Sequence, residues 1–406
     1  MVQKNGLVIG FVLFLGLAGL GRAQLVLGQY EDEAPVRTWN IFGPTGAAAF
    51  ALGQAGLARA LDATSVFTNP ALSVRLPGLN LAATGSYESV EFYRYATVNT
   101  GPVQTTGNLR LELWAADSAA ATFRWGAWGL GLGYGLLESY GRPTIDISAG
   151  PSFAYHFDQT GALKVAHLSV SRALGSRLAL GVGVNAVTGS LDHLSLDTFN
   201  AGRDTVLQSI GQKYTGFYVT GGLVFDLAPF LHLAASARSP YVKKADSQSI
   251  IRWTLVSGPN IEITSTSEDE YHEPFIGGLG LSVDINADWW AALDATYFGW
   301  SSYKVTYFGE DLKRDFRDVV RIGFGTEYSF WADLFGWRLR LPIRGGLQFD
   351  PQPMRSPASS YFTYSVGTGV HGRRFFLDVC SGTAKESGSG RSLAGLRTVL
   401  TLGVTL

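Results

Sequence analysis

The sequence has little charge and almost no sulfur, and each shortage excludes a class of protein. Asp, Glu, Lys and Arg make up only 16% of the 406 residues, whereas about 25% is usual for a soluble domain. The formal net charge is −1, so the composition gives no reason to expect a nucleic-acid partner. The single cysteine, Cys380, excludes an internal disulfide and a thiolate metal cage.

Motifs that carry chemistry are also missing. The six histidines are scattered without a metal-binding spacing, and no Ser, His and acid constellation stands out. Residues 367–372, GTGVHG, match the pattern G-x-G-x-x-G, but no helix follows them, which argues against nucleotide binding. We therefore expect neither enzymatic activity nor a cofactor or metal site.

The N-terminus has the pattern of a secretory signal peptide over residues 1–23. Lys4 supplies the positive start, residues 7–20 are apolar, and Gly21 and Ala23 are small residues at the expected cleavage positions. A membrane anchor is the alternative, but the apolar run is shorter than the roughly 20 residues that a spanning helix needs. No later stretch is long and apolar enough to span a membrane as a helix.

Apolar residues alternate with small or charged ones along most of the chain. In residues 317–350 two such segments flank a turn near 331–336, and one face of each carries large apolar side chains. Successive side chains of a strand point to opposite faces, so each segment predicts a strand with one apolar face. Repetition of this pattern behind a signal peptide is typical of a transmembrane barrel.

The count of such segments predicts the fold. We predict an all-β protein: a transmembrane antiparallel β-barrel of about 14 strands over residues 78–406, in the outer membrane of a diderm bacterium. Short turns are expected near Gly175, Pro229 and Asn286. Long polar loops are expected at 188–213, 245–273 and 301–316, and seven tryptophans, Trp300 among them, are expected mostly in interfacial girdles.

Residues 24–77 do not alternate and are rich in Ala and Gly. A segment of about 50 residues with so little bulky apolar content does not form a core of its own. We expect it to be an N-terminal plug, or hatch, that contains short helices and fills the barrel. A loop and helix cap without a transport role is the alternative.

Four segments together resemble the FadL/TodX-type outer-membrane transport proteins. The hatch segment GQAGLARALDATSVFTNPAL resembles the family's N-terminal motif through Asp62, Asn69, Pro70 and Ala71, although Leu72 stands where the family usually has Gly. ARSPY at 237–241 resembles its YRSP strand end, and DATYFGWSSY at 294–303 resembles its WS strand end. The fourth segment is the hairpin RIGFGTEYSF…LRLPIRGGLQFDPQP.

The resemblance implies a monomeric fourteen-stranded barrel that is blocked by its hatch and carries long-chain fatty acids or other hydrophobic compounds. The ligand would leave sideways into outer-membrane lipid. The outer-membrane assembly machinery is a further expected partner, although the sequence ends in Leu406 and not in the aromatic residue common to such barrels.

Two sets of residues are candidates for the site. The glycines Gly129, Gly131, Gly133 and Gly135 leave one face of a strand bare. A strand face without side chains makes the wall thinner, which leaves room for the hatch or for a lateral exit of the ligand. The alternative is that the glycines only make room for bulky neighbouring side chains or hatch backbone. Inward arginines are the second set: Arg321, Arg338, Arg340 and Arg344. Either they are solvated or hatch-pairing charges, or one of them binds a ligand carboxylate.

Three functions remain open at this point. The first is passive transport of hydrophobic small molecules, driven by transfer of apolar surface out of water. The second is a FadL-like scaffold for protein secretion or surface attachment that uses its long loops. The third is a structural or general-diffusion barrel.

Overall fold

The computed structural model describes residues 42–97, 104–148, 150, 153–334, 336–390 and 392–406. The predicted signal peptide and hatch residues 24–41 lie outside the described residues. No helix in the described ranges is long and apolar enough to cross a membrane.

Antiparallel strands make up most of the described chain. Their bounds are β1 Leu79–Thr97, β2 Gln104–Trp125, β3 Trp128–Ser139, β4 Arg142–Ser148, β5 Phe153–Leu174, β6 Leu178–Phe199, β7 Asp204–Ala228, β8 Leu231–Arg238, β9 Tyr241–Thr254, β10 Ile261–Glu273, β11 Ile276–Asp284, β12 Trp289–Phe298, β13 Lys304–Tyr307, β14 Glu310–Lys313, β15 Val319–Leu334, β16 Trp337–Pro351, β17 Ser360–His371, β18 Phe375–Ser387 and β19 Ala394–Thr405. Short helices lie at α1 Ala47–Ala51 and α2 Ser65–Thr68, with 3-10 helices at Pro70–Arg75, Asn200–Gly202 and Trp300–Ser302.

The strands close into a barrel because β1 pairs with both β2 and β19. Three staves of the wall are broken into two strands each. β3 and β4 both pair with β5, β8 and β9 both pair with β7, and β10 leads through Pro274 into β11. Counted as staves, the wall has fourteen, which confirms the predicted fold class, while β13 and β14 form an additional hairpin.

The outer surface of the barrel is apolar, as the alternation predicts. On β15, Val320, Ile322, Phe324, Tyr328 and Phe330 are 42–48% exposed, whereas the intervening side chains point inward. Exposing so large an apolar surface to water is unfavourable, so this belt faces lipid. The inner face is polar and charged, and the described part of the hatch lies against it.

The prediction of long polar loops was wrong, because all three segments contain paired strands, β13 and β14 among them in residues 301–316. Residues 188–199 and 204–213 are paired parts of β6 and β7, and the ladder runs up to Phe199 and Asp204. Residues 245–273 likewise form most of the β9–β10 hairpin. Strand pairing uses backbone groups, so polar side chains do not prevent it where the hairpins extend beyond the apolar belt.

The predicted aromatic girdle also needs one correction. Trp125, Trp128, Trp331 and Trp337 are exposed at strand ends, as expected for interfacial tryptophans. Trp300 is only 5% exposed and packs edge-on against Tyr303 and Phe316. It lies between β12, which pairs with β11, and β13, which pairs with β10, so its position near a strand end did not indicate its burial.

Candidate functional site

The hatch is fixed to the barrel wall by hydrogen bonds from several sides. The wall residue Asp294 accepts hydrogen bonds at Oδ2 from the backbone N–H groups of Gly56 (2.8 Å) and Leu57 (2.9 Å). Further bonds join Ala47 N to Thr401 Oγ1 (2.8 Å), Ser236 Oγ to Thr68 O (2.6 Å) and Ser365 Oγ to Ala51 O (3.1 Å). The bonds at Ala47, Ala51 and Thr68 satisfy backbone groups at the ends of the short helices, which have no partner within the helix.

The predicted hatch motif organises the turn between α2 and the following 3-10 helix. Asn69 Oδ1 accepts from Ala71 N (3.1 Å), and Pro70 occupies the first helical position, where its missing N–H costs nothing. Asn69 Nδ2 donates to Leu57 O (2.8 Å) and to Leu223 O of the wall (3.3 Å). Asn69 therefore links two parts of the hatch to β7.

Asp62, the fourth residue of the motif, is buried within the hatch. Its Oδ1 accepts hydrogen bonds from the backbone N–H (2.7 Å) and the hydroxyl (2.5 Å) of Thr64. Burial raises the pKa of the Asp62 carboxyl above its ordinary value. Thr64 Oγ1 in turn accepts from Gly46 N (3.1 Å), so Asp62 and Thr64 connect the turn before α2 to the N-cap residue of α1.

The glycine stripe on β3 lies directly against the hatch. A Cβ atom on Gly133 would be 2.3 Å from the Phe67 ring, and one on Gly131 would be 2.8 Å from Val66. At Gly129 and Gly135 the nearby hatch atoms belong to Val74 and Pro44. The bare wall thus accommodates hatch side chains and backbone, and its role as a lateral exit stays a prediction.

Two of the predicted arginines are deeply buried in ion pairs. Arg344 donates from Nε to Glu327 and from Nη1 to Asp378, both at 2.6 Å. Arg321 donates from Nη2 to Asp350 at 2.9 Å. These carboxylates compensate both charges, so each guanidinium already has the partner that a ligand carboxylate would otherwise supply.

The other two predicted arginines lie nearer the β15–β16 turn. Arg340 contacts His371 Nδ1 at 3.0 Å and lies 3.6 Å from a Glu327 carboxylate oxygen. Arg338 is exposed and stacks over Trp331, 5.1 Å from the ring centroid. The structure therefore does not bring the four arginines together, and a ligand-binding role for any of them stays a prediction.

A layer of buried tyrosines lies inside the barrel beside the hatch and was missed from the sequence. This tyrosine layer consists of Tyr140, Tyr214, Tyr218, Tyr241 and Tyr271, none of them more than 8% exposed. The hydroxyl of Tyr218 donates to Phe42 O of the hatch (3.3 Å). Tyr214 and Tyr218 share one face of β7, but only the pairing of distant strands brings the other three rings to them.

Lys243 lies within the tyrosine layer and carries its own counter-ion. Its Nζ is 3.1 Å from Glu273 Oε1 and donates to Tyr140 Oη at 3.2 Å. The ring centroids of Tyr214 and Tyr271 lie 5.3 and 4.9 Å from the same atom, within the range of cation–π attraction. The layer is therefore aromatic with polar edges.

The strand ladder between β2 and β3 is interrupted beside the hatch. β2 pairs with β1 from Gln104 to Phe123, but its pairing with β3 stops at Ser118 and Gly135. There β3 bulges at Leu137 and leaves β2. Within the described strands, the edge of β2 from Gln104 to Asp117 has no partner on this side. We call this interruption the seam.

Comparisons with known proteins agree with this architecture. No protein-family model matches the chain, and no curated protein matches it in sequence. Among solved structures, a Pseudomonas aeruginosa FadL homologue aligns with TM-score 0.68 and 13% identity over 90% of this chain and 99% of its own. The Ralstonia pickettii toluene transporter TbuX aligns with TM-score 0.64 and 16% identity, over 90% and 99% of the two chains.

The Pseudomonas putida toluene transporter TodX gives TM-score 0.65 and 13% identity, again over 90% of this chain and 99% of its own. The chain has the fold of the FadL and TodX barrels. In this barrel the hatch adjoins both the seam and the tyrosine layer, since Pro44 lies against Gly135 at the foot of the seam and Phe42 O accepts the hydrogen bond from Tyr218.

Proposed function

We propose that this FadL-type barrel admits hydrophobic small molecules through the outer membrane without energy coupling. The seam carries the proposal, because it is a break in the wall of a barrel whose lumen the hatch occupies. A ligand that reaches the tyrosine layer has a sideways route past the seam into lipid. Such a route suits apolar molecules, which gain free energy on leaving water for the bilayer.

Each of the elements described above has its own role in this route. The tyrosine layer supplies aromatic rings, buried in this structure, against which an apolar ligand packs once it displaces their present neighbours. The hatch closes the straight path along the barrel axis, so water and ions do not follow. Gly131 and Gly133 keep the wall thin where β3 passes the hatch, which leaves Val66 and Phe67 as the side chains that a passing ligand displaces.

Two other functions compete with transport. A scaffold for secretion or surface attachment would use the projecting β6–β7 and β9–β10 hairpins and would need no ligand route. A general-diffusion barrel would conduct ions through its axis. Neither function gives the seam a purpose, and the second conflicts with the hatch inside the lumen.

Uptake by the purified protein in liposomes tests the proposal. The probes are a fluorescent long-chain fatty acid and toluene, and the control is liposomes without protein. We expect saturable uptake of at least one probe together with low ion conductance in planar bilayers. A folded, heat-modifiable barrel that takes up neither probe contradicts transport and favours the scaffold, whereas high conductance favours the diffusion barrel.

A further inference from the structure

Two arginines of the hatch form ion pairs with the wall at the end of the barrel where short turns join the strands. Arg59 Nη1 lies 2.5 Å from Asp284 Oδ1, at the end of β11. Arg75 Nη1 lies 2.8 Å from Asp226 Oδ2, near the end of β7. Short turns mark the periplasmic end of an outer-membrane barrel, so both ion pairs hold the hatch on its periplasmic side.

His232 connects these two ion pairs. It lies on β8, opposite Asp226 in the ladder with β7. Its Nδ1 lies 2.7 Å from Asp226 Oδ1, and its Nε2 lies 3.2 Å from Asp284 Oδ2. Each aspartate therefore uses one carboxylate oxygen for a hatch arginine and the other oxygen for the same imidazole. We call Arg59, Arg75, Asp226, His232 and Asp284 the latch.

The two contacts of the imidazole determine which charge it must carry. A neutral imidazole has one N–H donor and a lone pair on its other nitrogen, whereas a protonated imidazole has two donors. A neutral His232 can therefore donate to only one aspartate, and its lone pair then faces the carboxylate of the other. Both contacts are hydrogen bonds only while His232 is protonated.

The charges that face His232 come from three elements. β7 contributes Asp226, β11 contributes Asp284, and the hatch contributes Arg59 and Arg75 behind them. Each guanidinium lies at the other oxygen of its aspartate, so the carboxylates separate the three cations of the protonated latch. The side chains of the latch are between 20% and 30% exposed, which leaves His232 able to exchange its proton with water.

We propose that the latch is a pH-sensitive closure that holds the hatch at its periplasmic side. While His232 is protonated, it joins both aspartates, and through them both hatch arginines, into one network. When the pH rises and His232 loses its proton, one of its two contacts becomes repulsive, so β7 and β11 lose their common partner and hold the hatch less tightly. Histidine ordinarily changes its charge between about pH 5 and 8, so a change of pH within this range operates the latch.

Loss of the proton loosens the hatch without expelling it. The guanidinium carbon of Arg59 also lies 4.4 Å from the ring centroid of Trp290, and Nη1 donates to Ser282 Oγ at 3.2 Å. Asp294 holds two further hatch amides on β12. None of these contacts needs a proton on His232. The latch itself requires no ligand, whereas its effect on uptake rests on the proposed transport function.

Ion conductance of the full chain in planar bilayers, measured at about pH 5.5 and about pH 8.5, tests the proposal. Aspartate is ordinarily ionised at both values. We expect the wild type to conduct little at the lower pH and severalfold more at the higher pH. His232→Gln keeps a hydrogen-bond donor but does not titrate. We expect it to conduct equally at both pH values, at the level that the wild type reaches at the higher pH.

The matched control is His156→Gln. His156 also contacts an aspartate, Asp146, at 2.6 Å, but it lies on the β4–β5 hairpin at the opposite end of the barrel. This variant should keep the wild-type response to pH. The double variant Arg59→Gln and Arg75→Gln removes the hatch side of the latch, and we expect raised conductance at both pH values.

Equal conductance of the wild type at both pH values overturns the inference without any variant, so a failure of His232→Gln to fold does not protect it. A full response to pH in folded His232→Gln also overturns it. Conductance is measured without a ligand. Absence of probe uptake would therefore contradict the proposed function alone, and the conductance would still decide the latch.

Discussion

Asp294 on the barrel wall and Gly56 in the hatch, 238 positions apart in sequence, are joined by a hydrogen bond of 2.8 Å. The same carboxylate oxygen accepts from the next residue, Leu57, at 2.9 Å. One wall side chain therefore holds two successive backbone amides of the hatch. Its second oxygen, Oδ1, is buried without a hydrogen-bond partner. The hydrogen bonds that this carboxylate accepts therefore come from the hatch.

The first prediction concerns this anchor. Asp294→Ala removes the acceptor for two buried amides, and each hydrogen bond contributes about 1 kcal/mol. We expect a looser hatch, seen as faster hydrogen exchange at Gly56 and Leu57 and as higher ion conductance in planar bilayers. Asp294→Asn keeps an acceptor oxygen and is the matched control, with conductance near that of the wild type. Wild-type exchange and conductance in Asp294→Ala would rule out an anchoring role.

The second prediction concerns the bare wall of β3. In the double variant Gly131→Val and Gly133→Val, the new side chains occupy the space of Val66 and Phe67. We expect the barrel to fold, since valine suits a strand, but we expect the uptake of a fluorescent fatty acid to fall at least severalfold. Heat-modifiable migration checks folding, and liposome uptake checks function.

The control for this experiment comes from the same chain. Gly221 lies on strand β7, and a Cβ atom there would meet nothing within 4 Å. Gly221→Val should therefore leave uptake unchanged. If the folded double variant transports as fast as Gly221→Val, the space in front of β3 is not part of the route.

The third prediction concerns the bulge that starts the seam. The register between β3 and β5 shifts between Leu136 and Glu138, which leaves Leu137 as the extra residue. Deleting Leu137 removes the bulge that bends β3 away from β2, so we expect the pairing of β2 with β3 to extend further. We expect uptake to fall severalfold while the barrel remains folded.

Substitution at the same position separates the bulge from the side chain. Leu137→Ala keeps the extra residue and should transport normally, because it shortens a side chain without changing the register. Equal uptake by the wild type, the deletion and the substitution would mean that ligand does not leave through the seam.

The sequence predicted the barrel well because alternation is a local property. The alternation within β15 and β16 alone identifies their apolar and polar faces. The short turns that follow β5 and β11 are likewise recognisable from the residues at the turns themselves. Polar residues 188–213 suggested a loop because the pattern lacks an apolar face. The residues nevertheless pair along the whole hairpin, and Leu191 and Ile210 on one of its faces are buried inside the barrel.

The site was less predictable because it depends on contacts between distant strands. The sequence indicated inward arginines on β15 and β16, but Asp350 and Asp378 compensate two of them through pairings that no local pattern shows. The tyrosine layer likewise gave no local signal, because only the pairing of distant strands brings its rings together.

The glycines that face the hatch have a consequence for the size of the pore. Besides the stripe on β3, Gly181, Gly222, Gly325 and Gly346 meet hatch backbone or side chains at distances that exclude a Cβ atom. Without the hatch, these strands would enclose a bore wider than their number alone suggests, because no side chains would fill it. Full expulsion of the hatch would therefore turn a selective passage into a large water-filled hole. Under the proposed transport function, we therefore expect the hatch to move only in part, with most of it remaining against its glycine wall.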